Sequence, residues 1–249
     1  MSNLVPKEEY KKRLIEIIDA AVVLDKRVIK FKDKLLDCSN FGNNYHTNPK
    51  KMSFEITSTG ETAYQRAILK SKKNYLDFKK GNDFETVEWI DGELPIVLNK
   101  NPRRAAIDLI GSLEGVPTIC ELKFGNTAKS DSPYYAAIEL LTYYCFIQFN
   151  ADYLDKYNVN HKNLNCFKWD DITRNSFPRL IVCANKLYWD EWFKKIDLTT
   201  LRNQVFQWGV HLDTKINLFQ SEDFDFKLQK GDKKKYMPSI SDNSIWKIV

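Results

Sequence analysis

Three residues near the middle of the chain have the types and spacing to do chemistry together: Asp108, Glu121 and Lys123. They flank Glu114-Gly115, a two-residue turn signal between the apolar runs 105–112 and 116–124. A two-residue turn pairs Leu113 with Val116, and every pair beyond keeps that register, so Asp108 falls opposite Glu121. The 113:116 pair is hydrogen-bonded and the 108:121 pair is not. Side chains of a non-hydrogen-bonded pair come closest, with Cβ atoms about 4.5–5.5 Å apart. The same register puts Pro117 where a missing N–H costs nothing. Lys123 lies two residues beyond Glu121 and shares its face. Ile107, Leu109, Cys120 and Leu122 make the other face apolar.

Two facing carboxylates repel unless positive charge sits between them. Lys123 supplies part of it, and a divalent cation supplies more. Carboxylate oxygens, a strand carbonyl and water suit Mg²⁺ or Mn²⁺ rather than Zn²⁺. Such an ion activates water and neutralises charge developing on a phosphate. Lys123 can hold that water or phosphate, as a charge or as a base.

The elements that must carry these residues are read from periodicity and punctuation. Residues 7–37 read as one helix, with Leu14, Ile17, Ile18, Leu24, Val28, Phe31 and Leu35 at helical spacing. Residues 39–58 read as loop around Pro49, giving an N-terminal helical segment (1–45) and a main domain (46–249). A second helix is predicted over 60–80, with Ser58 and Glu61 as a capping box. A hairpin turning at Asp91-Gly92 follows, then the hairpin that carries the three residues. Ser132 as N-cap and Pro133 at the first helical position open a helix to about residue 149. Residues 179–184 read as a buried strand and 189–208 as helix. The remainder reads as a polar tail with a basic cluster at Lys233, Lys234 and Lys235.

Asp108 followed by Glu121-Leu122-Lys123, on neighbouring strands ahead of a helix, resembles the PD-(D/E)XK nuclease superfamily. Residues 60–184 repeat the family's order of helix, three strands, helix and strand. The resemblance implies a restriction-endonuclease-like α/β fold, a three-layer α/β/α core around a mixed central sheet. It implies that Asp108, Glu121 and the Leu122 carbonyl bind Mg²⁺ or Mn²⁺ and that Lys123 is the catalytic lysine. Glu61 matches the glutamate that many members add from the first core helix. Glu139 and Tyr143 match the spacing of a Gln and Tyr pair in the RecB-like branch, with Glu in place of Gln. The proline that often precedes the first aspartate is Ile107 here. The function implied is a metal-dependent endonuclease or other nuclease, a hydrolase acting on DNA in restriction, repair or anti-phage defence. Cutting both strands would favour a homodimer.

Composition is compatible with this. The 249 residues carry 38 Lys and Arg against 33 Asp and Glu, a net charge of +5 that permits a polyanionic partner. Arg103, Arg104 and Lys129 are candidate phosphate contacts, and Glu139 and Tyr143 join them at the nucleic-acid side of the site. Hydrophobic residues at 43% and charged residues at 29% exclude disorder and support a buried core. Five Cys without a C-x-x-C pair and three scattered His make no zinc site and suit a reducing cytoplasm. The most apolar stretch, 136–149, carries Glu139 and is shorter than the ~20 residues that span a bilayer, so no membrane partner is expected. Residues 125–130 end like a phosphate loop but lack the Gly before Lys129, which excludes a P-loop NTPase. Trp189, Trp192 and Trp208 read as core. Two other readings stand beside the nuclease: a catalytically silent nucleic-acid- or partner-binding protein of the same fold, and an interaction protein assembled through its N-terminal helix.

Overall fold

The computed structural model describes residues 7–36, 54–78, 84–96, 105–125, 130–149, 178–221, 226–231, 234–241 and 244–249. Helices α1 (Lys7–Ala21) and α2 (Ile29–Leu36) are separate, joined through a 3₁₀ turn at Lys26–Val28. The single helix expected over 7–37 is broken by Asp25, an extended residue whose side chain accepts the Arg27 amide (3.0 Å) and the Ser132 hydroxyl (2.5 Å). A short acidic side chain competes with helix continuation in this way and restarts it as a cap. The boundary expected at residue 45 lies outside the described residues.

Helix α3 (Glu61–Ser71) ends at Lys72, a left-handed residue (φ 66°), and the chain turns at once into β1 (Lys73–Asp77). The predicted helix over 60–80 is thus helix then strand. The capping box is absent too: Gly60 is the N-cap, with no side-chain hydrogen bond. Strand β2 (Phe84–Ile96) runs straight through Asp91-Gly92 instead of turning there, with a bulge just before them, between Trp89 and Asp91. The glycine serves a close approach, since a Cβ at Gly92 would lie 2.6 Å from the Asp108 carbonyl oxygen.

Strands β3 (Ala105–Leu113) and β4 (Val116–Lys123) form the expected hairpin. Glu114 (φ 47°) and Gly115 (φ 82°) both take positive φ, as a two-residue hairpin turn requires. The ladder runs Leu113 with Val116, Ser112 with Pro117, and on to Leu109 with Cys120. Helix α4 (Pro133–Phe149) starts where expected, with Ser132 Oγ accepting the Tyr135 amide at 3.0 Å. It crosses over to β5 (Arg179–Asn185), parallel to β4. Helices α5 (Lys186–Phe193) and α6 (Leu198–His211) follow, split by an Asp197 cap on Thr200.

The expected polar tail holds β6 (Lys215–Ser221), the small β7 (Lys227–Lys230) and β8 (Tyr236–Ser239) pair, and β9 (Ile245–Ile248). Strand β9 pairs in parallel with β1 and antiparallel with β6. This closes the sheet into a seven-stranded mixed barrel, in the order β1-β2-β3-β4-β5-β6-β9. The three-layer α/β/α sandwich is therefore incorrect. Its open edges would have been β1 and β6, and β9 spans both.

The barrel wall divides two cores. Inside, Leu109, Cys120, Leu122, Ile181, Cys183, Phe219 and Trp246 pack with Tyr64, Ala67 and Ile68 of α3. Outside, Ile110, Ile119, Leu180 and Val182 pack beneath α1, α2, α4 and α6. Alternation along β5 assigns neighbours to opposite cores, as the strand period demands. Trp189 and Trp208 are buried in the outer core, as the sequence predicts. Among the described residues no helix is long and apolar enough to cross a membrane.

Candidate functional site

Glu121 and Lys123 project from the outer face of β4 under α4, and both are buried, at 3% and 5% exposure. The Lys123 ammonium contacts Glu121 Oε1 and lies 3.3 Å from Glu139 Oε2. Tyr143, one turn further along α4, donates its hydroxyl to Glu139 Oε1 at 2.9 Å. The i, i+4 spacing of Glu139 and Tyr143 makes that contact possible. Glu139 is the more open carboxylate of the pair, its side chain 16% exposed against 5% for Glu121.

Asp108 sits where the β3–β4 ladder ends. The last backbone pair of the ladder is Leu109 with Cys120. Beyond it, Asp108 Oδ2 accepts the Leu122 amide at 2.7 Å, so a carboxylate takes the place of a strand carbonyl. One step further, Glu61 Oε2 accepts the Phe124 amide at 3.2 Å. Asp108 and Glu61 between them accept the amides at the C-terminal end of β4. Leu122 thus reaches the site through its backbone, while its side chain is buried inside the barrel.

Two residues were missed by the sequence reading. Gln65 donates to the Asp108 carbonyl at 2.7 Å and lies 3.4 Å from its Oδ1. Arg66 Nη1 in turn donates to Gln65 Oε1 at 3.1 Å. Gln65 lies one turn beyond Glu61 on α3, so helical spacing places it on the same face. The structure thus gathers Asp108, Glu121, Lys123, Glu61, Glu139 and Tyr143 into one cluster. Arg103, Arg104 and Lys129 lie outside the described residues.

Burial dominates the electrostatics. It pushes the Asp108 carboxyl up to about 7, against the pull of Lys123 and with a further push from Glu61. Glu121 is driven well above the usual carboxylate range, by burial first and then by Asp108 and Glu139. Burial also raises Glu61. For Glu139, burial is outweighed by Lys123, by its hydrogen-bonded neighbour Glu121 and by Tyr143, and its carboxyl is held below its ordinary value. Burial likewise opposes the charge on Lys123, yet Glu121, Glu139, Glu61 and Asp108 together hold the ammonium well above the ordinary lysine value. Lys123 is a fixed cation at any physiological pH.

Glu121 Oε2 is buried without a hydrogen-bond partner. Such an oxygen calls for a proton or a cation. The all-oxygen donor set has the chemistry that Mg²⁺ or Mn²⁺ takes. Among the described residues no three His, Cys, Asp or Glu side chains group closely enough to hold an ion alone. An ion held here would have to fill most of its shell with water and ligand oxygens, as Mg²⁺ commonly does.

No protein-family model, curated protein or solved structure matches the chain.

Proposed function

We propose that the chain is a metal-dependent nuclease that hydrolyses phosphodiester bonds, with DNA as the favoured substrate. The observation that carries this reading is the buried Lys123 ammonium held against Glu121 and Glu139 with Asp108 close by in the same cluster. Asp108 and Glu121 would hold Mg²⁺ or Mn²⁺, with Glu61 and the Leu122 backbone beside them. The ion would supply activation of water and neutralisation of phosphate charge. Because Lys123 keeps its proton, its contribution is a positive charge beside the developing phosphate charge rather than a base. Tyr143 and Glu139 fix the direction of that ammonium. Gln65 braces Asp108 from α3.

Cleavage of supercoiled plasmid, linear duplex, single-stranded DNA and RNA, with Mg²⁺, Mn²⁺ or EDTA, tests the proposal. Metal-dependent cutting that disappears in Asp108→Asn and in Lys123→Met is the expected result. A second reading has its own support, because Asp108 and Lys123 already have partners within the protein. That reading is a catalytically silent nucleic-acid binder. Nucleic-acid binding with no cleavage and no Mg²⁺ heat in calorimetry would favour it.

A further inference from the structure

Strand β9 is shorter than the strand β6 that it pairs with. It meets β6 at Phe219, Gln220 and Ser221, and the Val249 amide adds one bond to the Leu218 carbonyl at 2.9 Å. Strand β6 itself begins at Lys215. Its first three residues pair with β5 on one side and, among the described residues, with no strand on the other. The barrel wall therefore has a notch beside Ile216 and Asn217. Helix α6 packs over this part of β6, and its Arg202 donates Nε to the Val249 oxygen at the end of β9. Between these elements lies a cavity of about 480 Å³. That volume falls within the ~300–1,000 Å³ of small-molecule pockets.

Phe78, Val205, Phe206 and Ile248 make the lining apolar and aromatic. The Phe78 ring is held edge-on to Phe219, with centroids 5.1 Å apart, and the Arg179 guanidinium lies 5.4 Å from its centre. Phe206 is 57% exposed, a large apolar side chain left at the surface. Two polar side chains complete the lining. Arg202 is tied to Val249, but Asn217 has its Oδ1 buried without a hydrogen-bond partner. A buried amide oxygen calls for a donor. No acidic side chain lines the cavity. The shape and chemistry therefore suit a flat apolar body against the two phenylalanines, with one N–H or O–H directed at Asn217.

We propose that the notch between β6, the end of β9 and α6 is a binding site for a small uncharged aromatic molecule that carries one hydrogen-bond donor, of the indole or phenol class. Phenylalanine rings offer faces and edges to such a body. Asn217 Oδ1 takes its donor, and that single bond sets the choice between molecules of the same shape. Water is the competing occupant. It would satisfy Asn217 but would leave the apolar lining without contacts. The site lies on the seam of the barrel, away from the carboxylate cluster on β3, β4 and α4, and it stands independently of the nuclease reading.

The test titrates the full chain, in EDTA, with indole and with benzofuran, in which an oxygen replaces the N–H, and follows both by ligand-observed NMR. Indole should bind about tenfold or more tightly than benzofuran, which leaves Asn217 Oδ1 unmatched. Asn217→Leu should erase that preference while benzofuran binds at least as well as before. Val205→Phe, which fills the cavity from α6, should abolish binding of both probes, with thermal unfolding showing that the variant is folded. If it does not fold, Asn217→Leu decides alone. Indole should also slow amide hydrogen exchange in α6 and β9 of the wild type. No binding of either probe at millimolar concentration overturns the proposal and leaves the notch to water. Equal binding of the two probes, unchanged in Asn217→Leu, overturns it as well. So does indole binding that persists in folded Val205→Phe, because the probe then sits elsewhere.

Discussion

Replacing Lys123 by Met removes one ammonium from a buried cluster of carboxylates. Met keeps most of the side-chain volume, so the cost is electrostatic rather than a cavity. Glu121, already without a partner for Oε2, would then face Glu139 with no cation between them. Breaking a buried ion pair from one side costs about 3–5 kcal/mol. For a chain of this size that is roughly 6–20 °C in Tm. The loss must depend on pH in a definite sense. Asp108, Glu121 and Glu61 all have carboxyls raised above their ordinary values. A raised carboxyl stabilises the fold while protonated, and that contribution is lost as pH rises through the native value. Without Lys123 the native values rise further, because its pull on all three disappears. The variant should therefore show its smallest deficit near pH 4.5, where chiefly the partnership with Glu139 is lost, and fall behind wild type increasingly between pH 5 and 8. Urea denaturation at a series of pH values, read by tryptophan fluorescence, measures this directly. Adding Glu121→Gln should restore part of the loss, with a coupling toward the top of the ~0.5–3 kcal/mol range for contacting residues. A deficit that is the same at pH 5 and pH 8, or a coupling near zero, would refute the buried ion cluster.

Three other outcomes follow from the same geometry. Asp108→Asn keeps an acceptor for the Leu122 amide but removes a buried charge, so it should stabilise the fold by ~0.5–2 kcal/mol at pH 8, do little at pH 5, and abolish metal-dependent cleavage. Urea titrations paired with the plasmid assay check it. Mg²⁺ should raise the Tm of wild type in differential scanning fluorimetry and leave Asp108→Asn and Glu121→Gln unmoved, while EDTA should reverse the shift. Gly92→Ala should cost about 1–3 kcal/mol, because its new Cβ would press on the Asp108 carbonyl and on Leu69. It should reduce cleavage as well, measured in the same assay, since the residue it displaces is Asp108.

The hairpin from Leu109 to Cys120 was legible because a two-residue turn sets a register. The pairing of Asp108 with Glu121 was not: the ladder stops one step short, Asp108 turns to the Leu122 amide, and Ile107 packs in the outer core rather than with Leu109, Cys120 and Leu122. Glu139 and Tyr143 were legible from their four-residue spacing on a helix. Closure of the barrel was not legible. It depends on β9, four residues whose partners on β1 and β6 are remote in sequence and whose own pattern is too short to announce a strand. Strand β1 was hidden inside a helical pattern, because Lys72 takes a left-handed conformation where Gly is the usual marker. The turn signal at Asp91-Gly92 was real in composition, but the strand continues through it and the glycine serves a close approach to the Asp108 carbonyl. Gln65 escaped notice because an uncharged side chain offers no chemistry until its acceptor is known.

The seam made by β9 also bears on how the molecule assembles. Each of its two ladders has three residue pairs, against six between β4 and β5 and seven between β5 and β6. Tyr75 and Ile245, which meet across it, lie far apart in sequence. Bringing them together requires closing a very long loop for few hydrogen bonds, so the seam gains little until the rest of the wall is in place. The seam is therefore predicted to open before the rest of the wall, with β9 amides exchanging faster than those of β4 and β5. The site stands on β3 and β4, across the barrel from that seam, so such an opening would leave its carboxylates and their lysine in place.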